Sequence, residues 1–553
     1  MNKKVCSFPI LFALLALLIG TCAVVFPASA QAAPISTGSI TVSGTVASSY
    51  DAYQIFSANV VDGDSDAKIA TDLAWASDAV RDAALPALHS AGMPKSQTTA
   101  QEAAEWLNTD SHLTSALSAQ LARSLQSSGA VSVALNAGTA AELPCGYWLI
   151  VADDDAIAQG EAGTAPIMAL VGGSAVTVKP KAATPKVAKH VLEDSTAAWQ
   201  KAADATVADD LYWRLSATVP AGLTAYDTYT VRFVDTMSAG LDPSKVAASM
   251  RVYVAAGAEG GFDAVACEGG NANSTPAKGW TDITSQCKVS VEGNAFTVRT
   301  GDLIAALGGA DAFTAGARVV AVYNAPLNSA CNHGIAKGNP NEVYLRYPRS
   351  PLVDQSGDAG FTRTPSDDAC AYTWDLALTK RGSDGDKPLA GAVLSIADDR
   401  GRTLAADGTW DAEGKATVTT GEDGRVTVSG VDSGKLEVRE LKAPKGYTAF
   451  EGTRSVTVKA EGLDVDQVAA AKPKLTITAE SPLRADSADG STGSLEASLI
   501  NTPTGTPPSI TTGGFMPSTG DMAMYAAAAA AVAGAALIVV ALLVKRGGGS
   551  HKE

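Results

Sequence analysis

The sequence predicts a mainly β protein made of tandem sandwich domains, with one α+β domain at its N-terminal end. Short runs of alternating apolar and polar residues recur along most of the chain between clusters of Gly, Asn and Pro, the pattern of antiparallel sandwiches. A length of 553 residues suggests about three to four domains. Hydrophobic residues make up 46% of the chain and charged residues 18%, so most of it can bury a core.

The N-terminal domain, expected over residues 31–180, combines such strands with helices. Thr99 and Glu102 have the spacing of a capping box at the start of a helix. A leucine then recurs at every fourth position and forms one apolar stripe, as in a helix that faces a core: Leu113, Leu117, Leu121 and Leu125. The next two domains, 181–370 and 371–502, show strand patterns almost throughout.

The composition argues against several classes of function. Asp and Glu number 58 against 42 Lys and Arg, a formal net charge of −16, which disfavours binding to nucleic acid. Only 5 His and 7 Cys are spread over the chain, so neither a metal centre nor a cofactor site is expected. No phosphate-binding loop and no recognisable nucleophile–histidine motif occurs, so the sequence does not predict an enzyme.

The first 30 residues have the pattern of a secretory signal peptide. Lys3 and Lys4 precede an apolar run, and small residues follow with the spacing of a peptidase site, Ala28-Ser29-Ala30. Cleavage is expected after Ala30, with cleavage after Ala32 as the close alternative. The mature chain would therefore be exported.

The C-terminal end predicts attachment to the cell surface. Residues 522–544 are uncharged and long enough, at about 34 Å, to cross a bilayer as a helix. Lys and Arg follow at once in the tail 545–553, which is expected to stay in the cytoplasm. The preceding linker, 503–521, ends in a pentapeptide and one aspartate. The pentapeptide is Met516, Pro517, Ser518, Thr519 and Gly520.

Pentapeptide, apolar span and basic tail together resemble the cell-wall sorting signal LPXTG of Gram-positive surface proteins. The resemblance implies that a sortase cleaves between Thr519 and Gly520 and joins Thr519 to an amine. Met516 stands where that signal has leucine, a mild change because both side chains are unbranched at Cβ.

The third domain resembles the Cna-B-type sandwich of Gram-positive pilins and adhesins. It opens with LTK at 378–380, contains ELKAPKGY at 440–447 and closes with INTP at 500–503. The resemblance implies an intramolecular isopeptide bond between Lys380 and Asn501, assisted by Glu440. Burial drives the lysine towards its neutral, nucleophilic form, and a buried carboxylic acid can shuttle the proton.

The middle domain resembles the isopeptide-forming fimbrial type. Lys189, in KVAKHV at 186–191, and Asp235, in VDTMSAGL at 234–241, match the lysine and the acid of that type. Arg349 stands where the family has its acceptor asparagine, and a guanidinium cannot be acylated in this way. The sequence therefore predicts the fold without the bond, with Asn341 as the fallback acceptor.

Between the first two domains, VTVKPK at 176–181 resembles the pilin motif. The resemblance implies that Lys181 attacks the sortase acyl-enzyme formed on the next subunit. Head-to-tail joining of this kind gives an open filament.

Five cysteines remain after the signal peptide, in a compartment that permits disulfides. Cys267 with Cys287 and Cys331 with Cys370 are candidate pairs, although the sequence does not fix the connectivity. Cys145 is left over and is expected to be a buried thiol.

Taken together, the motifs resemble those of sortase-polymerised, LPXTG-anchored major pilins of the SpaA/SpaH/EbpB kind. The resemblance implies Cna-type, immunoglobulin-like sandwiches in a rod that serves adhesion at the bacterial surface. The implied partners are a sortase, other copies of the chain, minor pilins and peptidoglycan. The alternative is a wall-anchored adhesin or basal pilin that is never polymerised.

Overall fold

A computed structural model describes residues 36–505, except for 45, 65–66, 110, 164, 182–183, 208 and 258–275. The signal peptide, the linker after residue 505, the sorting pentapeptide, the apolar span, the basic tail and Cys267 lie outside the described residues. Within the part that is described, no helix is long and apolar enough to cross a membrane.

The described chain is mostly strands, and its sheets fall into three consecutive groups, which confirms the predicted fold class. The first group has the strands β1 (Thr37–Val42), β2 (Ser49–Asp62), β3 (Lys68–Trp75), β4 (Val133–Asn136), β5 (Ala140–Pro144), β6 (Gly146–Ala152), β7 (Ile167–Val171) and β8 (Val176–Val178). Its helices are α1 (Asp78–Ser90), α2 (Ala100–Leu107) and α3 (Ser115–Ser128), with a 3-10 turn at Asp154–Ala156.

The three helices of the first group pack on one face of a five-stranded sheet. Strands run in the order β3-β2-β6-β7, with β4 also on β2, and a smaller sheet has the order β5-β1-β8. The capping box of Thr99 and Glu102 forms at the start of α2. Leu117, Leu121 and Leu125 of α3 are buried against β2 and β6, so these three members of the stripe are core. Leu113 lies before the helix begins and is half-buried against the same cluster.

The second group is a two-sheet sandwich. Its strands are β9 (Lys186–Glu193), β10 (Ala198–Gln200), β11 (Ala202–Asp204), β12 (Tyr212–Val219), β13 (Arg232–Met237), β14 (Arg251–Ala256), β15 (Thr281–Asp282), β16 (Lys288–Glu292), β17 (Ala295–Arg299), β18 (Ala317–Asn324), β19 (Asn339–Pro348), β20 (Phe361–Arg363) and β21 (Asp367–Tyr372). Short helices lie at α4 (Val246–Ser249), α5 (Leu303–Ala306) and α6 (Ala310–Phe313), with 3-10 turns at Pro243–Lys245 and Thr284–Gln286. One sheet has the order β10-β9-β12-β18-β14-β15, and the other β11-β21-β19-β13-β17-β16, with β20 on β19.

The third group is a second sandwich. Its strands are β22 (Trp374–Gly382), β23 (Val393–Ala397), β24 (Thr403–Leu404), β25 (Trp410–Asp411), β26 (Val418–Thr419), β27 (Arg425–Val431), β28 (Gly434–Lys442), β29 (Tyr447–Thr448), β30 (Thr453–Glu461), β31 (Lys474–Ala479), β32 (Leu483–Asp489) and β33 (Ser494–Pro503), with a 3-10 turn at Val468–Ala470. The sheets have the orders β27-β22-β33-β29, with β32 on β33, and β25-β24-β23-β28-β30-β31, with β26 on β23.

The first and last strands of the third group lie side by side and run parallel. In this pairing Lys380 of β22 faces Leu499 of β33, and Gly382 faces Asn501. The chain therefore enters and leaves this domain on neighbouring strands.

Candidate isopeptide sites

The site in the third domain is built from three polar side chains at core positions. Strand side chains alternate between the two faces of a sheet. Lys380 has the same phase as the buried Leu376 and Leu378 of β22. Asn501 of β33 and Glu440 of β28 are likewise in phase with the buried apolar residues of their strands. All three therefore point between the two sheets.

The three groups are in direct contact. The Lys380 ammonium donates a hydrogen bond to Asn501 Oδ1. Glu440 Oε1 lies 3.3 Å from Lys380 Nζ and accepts a hydrogen bond of 2.9 Å from Asn501 Nδ2. The carboxylate thus lies against both the attacking nitrogen and the nitrogen that would leave.

Burial sets the electrostatics of this site. Lys380 and Asn501 have 0% and 1% of their surface exposed, and the Glu440 side chain is fully buried. Burial lowers the pKa of Lys380 to about 8, although the neighbouring Glu440 opposes the shift. At neutral pH about one tenth of such a lysine is the free amine that can attack an amide.

A corresponding cluster lies in the core of the middle domain. The Lys189 ammonium contacts Asp235 Oδ2, and it donates a hydrogen bond of 2.8 Å to the Tyr323 hydroxyl. All three residues are fully buried. Burial lowers the pKa of Lys189 to about 8 against the pull of Asp235, and burial raises the pKa of Asp235.

The asparagine of this cluster is Asn341, and the expectation that Arg349 occupies the acceptor position is wrong. Asn341 of β19 is fully buried, and its amide donates a hydrogen bond of 2.9 Å to the same Tyr323 hydroxyl that Lys189 contacts. Its Oδ1 and the second oxygen of Asp235 have no hydrogen-bond partner within the described residues. Unsatisfied buried oxygens are costly, so this cluster is unfavourable as it stands.

Arg349 lies after the end of β19 and serves a different contact. Its guanidinium donates a hydrogen bond of 3.1 Å to the carbonyl of Asp154, and its own carbonyl accepts a hydrogen bond of 2.6 Å from Gly163 N. It therefore joins the middle domain to the first domain. Side chains alternate between the two faces of β19, and Val343, Leu345 and Tyr347 are buried on the same face as Asn341. This alternation is the signal in the sequence that places Asn341 in the core of the sandwich.

Tyr323 is the site residue that sequence reasoning missed. It has the phase of the buried Val319 and Ala321 on β18, so its pattern is that of an ordinary core tyrosine. No local signal distinguishes it, because its role depends on β18 facing β13 and β19 across the sandwich.

Lys181 is exposed, three residues beyond the end of β8, in the segment between the first and second groups of sheets. The Thr519 that is expected to join it lies outside the described residues. The exposed position fits attack by an incoming acyl-enzyme.

The candidate disulfide between Cys331 and Cys370 is not formed. Both are free thiols: Cys331 Sγ lies 3.5 Å from His333 Nε2, and Cys370 Sγ lies 3.7 Å from the carbonyl of Ala371. Each sulfur has a different partner, so the pairing is wrong for this structure. Cys287 is half-buried, and its pairing with Cys267, which lies outside the described residues, stays a prediction. Cys145 is buried, as expected.

Comparison with known proteins finds a family model, a curated relative and solved structures that are similar to this chain. Residues 375–472 match the family described as the SpaA prealbumin-like fold domain. The chain is 30% identical over 143 residues to the trypsin-resistant surface T6 protein of Streptococcus pyogenes serotype M6. That alignment covers 24% of each protein, so the chain spans about a quarter of the length of the curated relative it matches.

Among solved structures, the T6 backbone pilin of Streptococcus pyogenes superposes with a TM-score of 0.46 and 17% identity, over 85% of this chain and 99% of that one. The full-length major pilin SpaD of Corynebacterium diphtheriae gives 0.41 and 16%, over 84% and 98%. The major pilin BcpA of Bacillus cereus gives 0.39 and 12%, over 85% and 99%. The family match and the curated relative confirm the resemblance to Gram-positive backbone pilins that the motifs predict.

Proposed function

We propose that this chain is the structural shaft subunit of a covalently polymerised pilus on a Gram-positive cell surface. The observation that carries the proposal is the buried contact of Lys380, Glu440 and Asn501, which joins the first and last strands of the third domain. A crosslink at that position suits a protein that is pulled from both ends.

The proposed maturation step forms one amide and releases one ammonia. Lys380 Nζ attacks Cγ of Asn501, and the bond from Cγ to Nδ2 breaks. Glu440 takes the proton from the attacking nitrogen and gives it to the departing one, and both nitrogens lie within 3.3 Å of its Oε1. The step consumes its own reactants, so it is maturation and not turnover.

The middle domain is proposed to mature in the same way through Lys189 and Asn341. The Tyr323 hydroxyl contacts both nitrogens and donates a hydrogen bond of 3.2 Å to Asp235, which also contacts Lys189, so these two groups supply the proton relay. Both sandwiches would then be closed by amides that reductants do not cleave.

Polymerisation is proposed to proceed through Lys181 of one subunit and Thr519 of the next, with a sortase as the enzyme. The same Thr519 would finally be attached to peptidoglycan. The formal charge of −16 keeps such subunits mutually repulsive until the sortase joins them.

An immunoblot of cell-wall extracts from the native organism tests this function. Wild-type chains should give a ladder of covalent multimers, and Lys181→Ala should leave only the monomer attached to the wall. Lys179→Ala is the matched control, because Lys179 is an exposed lysine two residues away. A ladder that persists in Lys181→Ala contradicts the assigned nucleophile. A single band in the wild type would instead identify a wall-anchored adhesin or basal pilin.

A further inference from the structure

Five basic residues form a row across the outer face of one sheet of the middle domain. The strands β16, β17, β13, β19 and β20 each contribute one of them, and every member directly faces the next in the strand register. We call these residues the cationic row: Lys288, Arg299, Arg232, Arg346 and Arg363.

Such a row is unfavourable unless something offsets it. Neighbouring strands lie about 4.8 Å apart, so the five residues extend over about 19 Å. Like charges that face each other directly across strands destabilise a sheet. The chain as a whole is strongly acidic, with a net charge of −16, so this row of positive charge contrasts with the overall composition.

The domain itself neutralises only part of the row. Asp358 pairs with Arg232 and, at 3.1 Å, with Arg346. The other contacts of the row are neutral, since carbonyls of the segment 355–359 accept hydrogen bonds from three of its arginines. Within the described residues, three members have no carboxylate partner. They are Lys288, Arg299 and Arg363.

A pocket of about 360 Å³ opens at one end of the row. Arg346 and Arg363 line it together with Arg349, which adds a further cation. The guanidinium of Arg363 stacks on the ring of Tyr344 at 5.0 Å, and Phe361 also contributes to the wall. The pocket thus combines cations with aromatic surface at the junction with the first domain.

We propose that the cationic row and this pocket bind a linear acidic polysaccharide. Arg232 at the centre of the row is buried, so the accessible cations are Lys288, Arg299, Arg346 and Arg363. Their single file suits one chain of regularly spaced carboxylate or sulfate groups. The guanidiniums of Arg346 and Arg363, which line the pocket, bind the oxyanion of a sugar at that end of the row.

Acidic residues on the same face limit this surface to one file of charge. Glu342 on β19 and Glu292 on β16 are exposed and point to the same side as the row. Each lies four residues along its strand from a row member, or about 13 Å. A broad polyanion such as a nucleic-acid duplex would meet these carboxylates, whereas a single polysaccharide chain would not.

Isothermal titration calorimetry of the full-length chain with a heparin-derived octasaccharide tests the proposal. The variant Lys288→Gln/Arg363→Gln removes two exposed cations, one from each end of the row. It should weaken binding about tenfold and reduce the dependence of the dissociation constant on salt. Lys186→Gln/Arg318→Gln removes the same two kinds of charge from the opposite sheet and should bind like the wild type.

Several results would overturn the proposal. Wild-type protein that does not bind the octasaccharide, or a control double variant that loses as much affinity as the row variant, would do so. Equal binding of a single-stranded oligonucleotide of the same charge would show that the surface binds any polyanion and is not specific for a polysaccharide. Melting temperatures of both variants close to that of the wild type establish that lost binding does not come from lost folding.

Discussion

Two buried lysines in this chain stand where strand alternation calls for apolar residues. A buried ammonium is costly even beside a carboxylate, because both groups lose their hydration. The proposed conversion of Lys380 and Asn501 into an amide would remove the lysine charge from the core and leave a neutral group. The unfavourable burial would then be a feature of the precursor that the reaction relieves.

The first prediction concerns Glu440. The mature wild-type chain should contain a crosslinked peptide with Lys380 and Asn501 that is lighter by one ammonia, and Glu440→Ala should restore the full mass. The amide closes a loop of 121 residues, so its loss should lower the free energy of unfolding by about 5 kcal/mol on the loop-entropy estimate. Peptide mass spectrometry and thermal unfolding measure the two effects.

Glu437→Ala is the matched control for that substitution, because Glu437 is an exposed glutamate on the same strand. It should keep the crosslink. A mass deficit that remains in Glu440→Ala would remove Glu440 from the reaction, and a wild-type peptide of full mass would remove the bond.

The second prediction distinguishes the two candidate acceptors of the middle domain. Asn341→Ala should abolish the crosslinked peptide that contains Lys189, because Asn341 is the buried amide beside the Tyr323 hydroxyl. Arg349→Ala should leave that peptide intact, since Arg349 lies at the contact with the first domain. Peptide mapping of reduced protein reads both outcomes, and the reverse pattern would restore position 349 as the acceptor site.

At the scale of elements, the junction between the second and third domains is rich in carboxylates. Asp204 accepts hydrogen bonds of 2.7 Å from Trp374 Nε1 and from Ser433 N. Burial, and then the charge of Asp204, raise the pKa of Glu193 to about 7 and that of Asp432 to about 8. The folded junction therefore holds protons near neutral pH.

The third prediction follows from these raised pKa values. Between about pH 4 and pH 8 the folded chain keeps protons that the unfolded chain has released, so stability falls as pH rises through this window. Asp432→Asn removes one of the two groups and should reduce the fall, raising stability at pH 8.5 by on the order of 1 kcal/mol. Thermal unfolding across a pH series measures it.

The control for the pH series is Asp399→Asn, which removes an exposed carboxylate next to the same junction. Its pH profile should match the wild type. If Asp399→Asn and Asp432→Asn flatten the profile equally, general charge repulsion accounts for the effect and the buried carboxyl does not.

At the scale of the whole molecule, the proposed crosslinks would determine how the chain carries force. In a polymerised subunit, load would enter the third domain along β22 and leave along β33, and Lys380 and Asn501 lie near the ends of these strands. A covalent bond between them would transmit the load directly. The intervening segment, whose ends are 121 residues apart in the chain, would then not extend.

The fourth prediction is the force–extension trace of the full-length chain pulled from its two ends. Wild-type protein should lack the extension of about 430 Å that the segment between Lys380 and Asn501 would release if it unfolded. Glu440→Ala should gain that extension, and reductant should change neither trace. The first domain unfolds in both proteins and serves as the internal reference. The same long extension in the wild type would contradict the proposed load path.

The sequence by itself determined the fold class and the three-domain order, and a family resemblance pointed to Lys380, Glu440 and Asn501 in the third domain. Strand alternation is local, and the residues 378–380, 440–447 and 500–503 carry the motifs of that resemblance, so these inferences needed no knowledge of strand pairing. Only the tertiary structure decided that Asn341 is the buried partner of Lys189, that Tyr323 bridges them and that five basic residues form one row. Each of these depends on which strands are neighbours and in which register, and residues far apart in the chain decide that together.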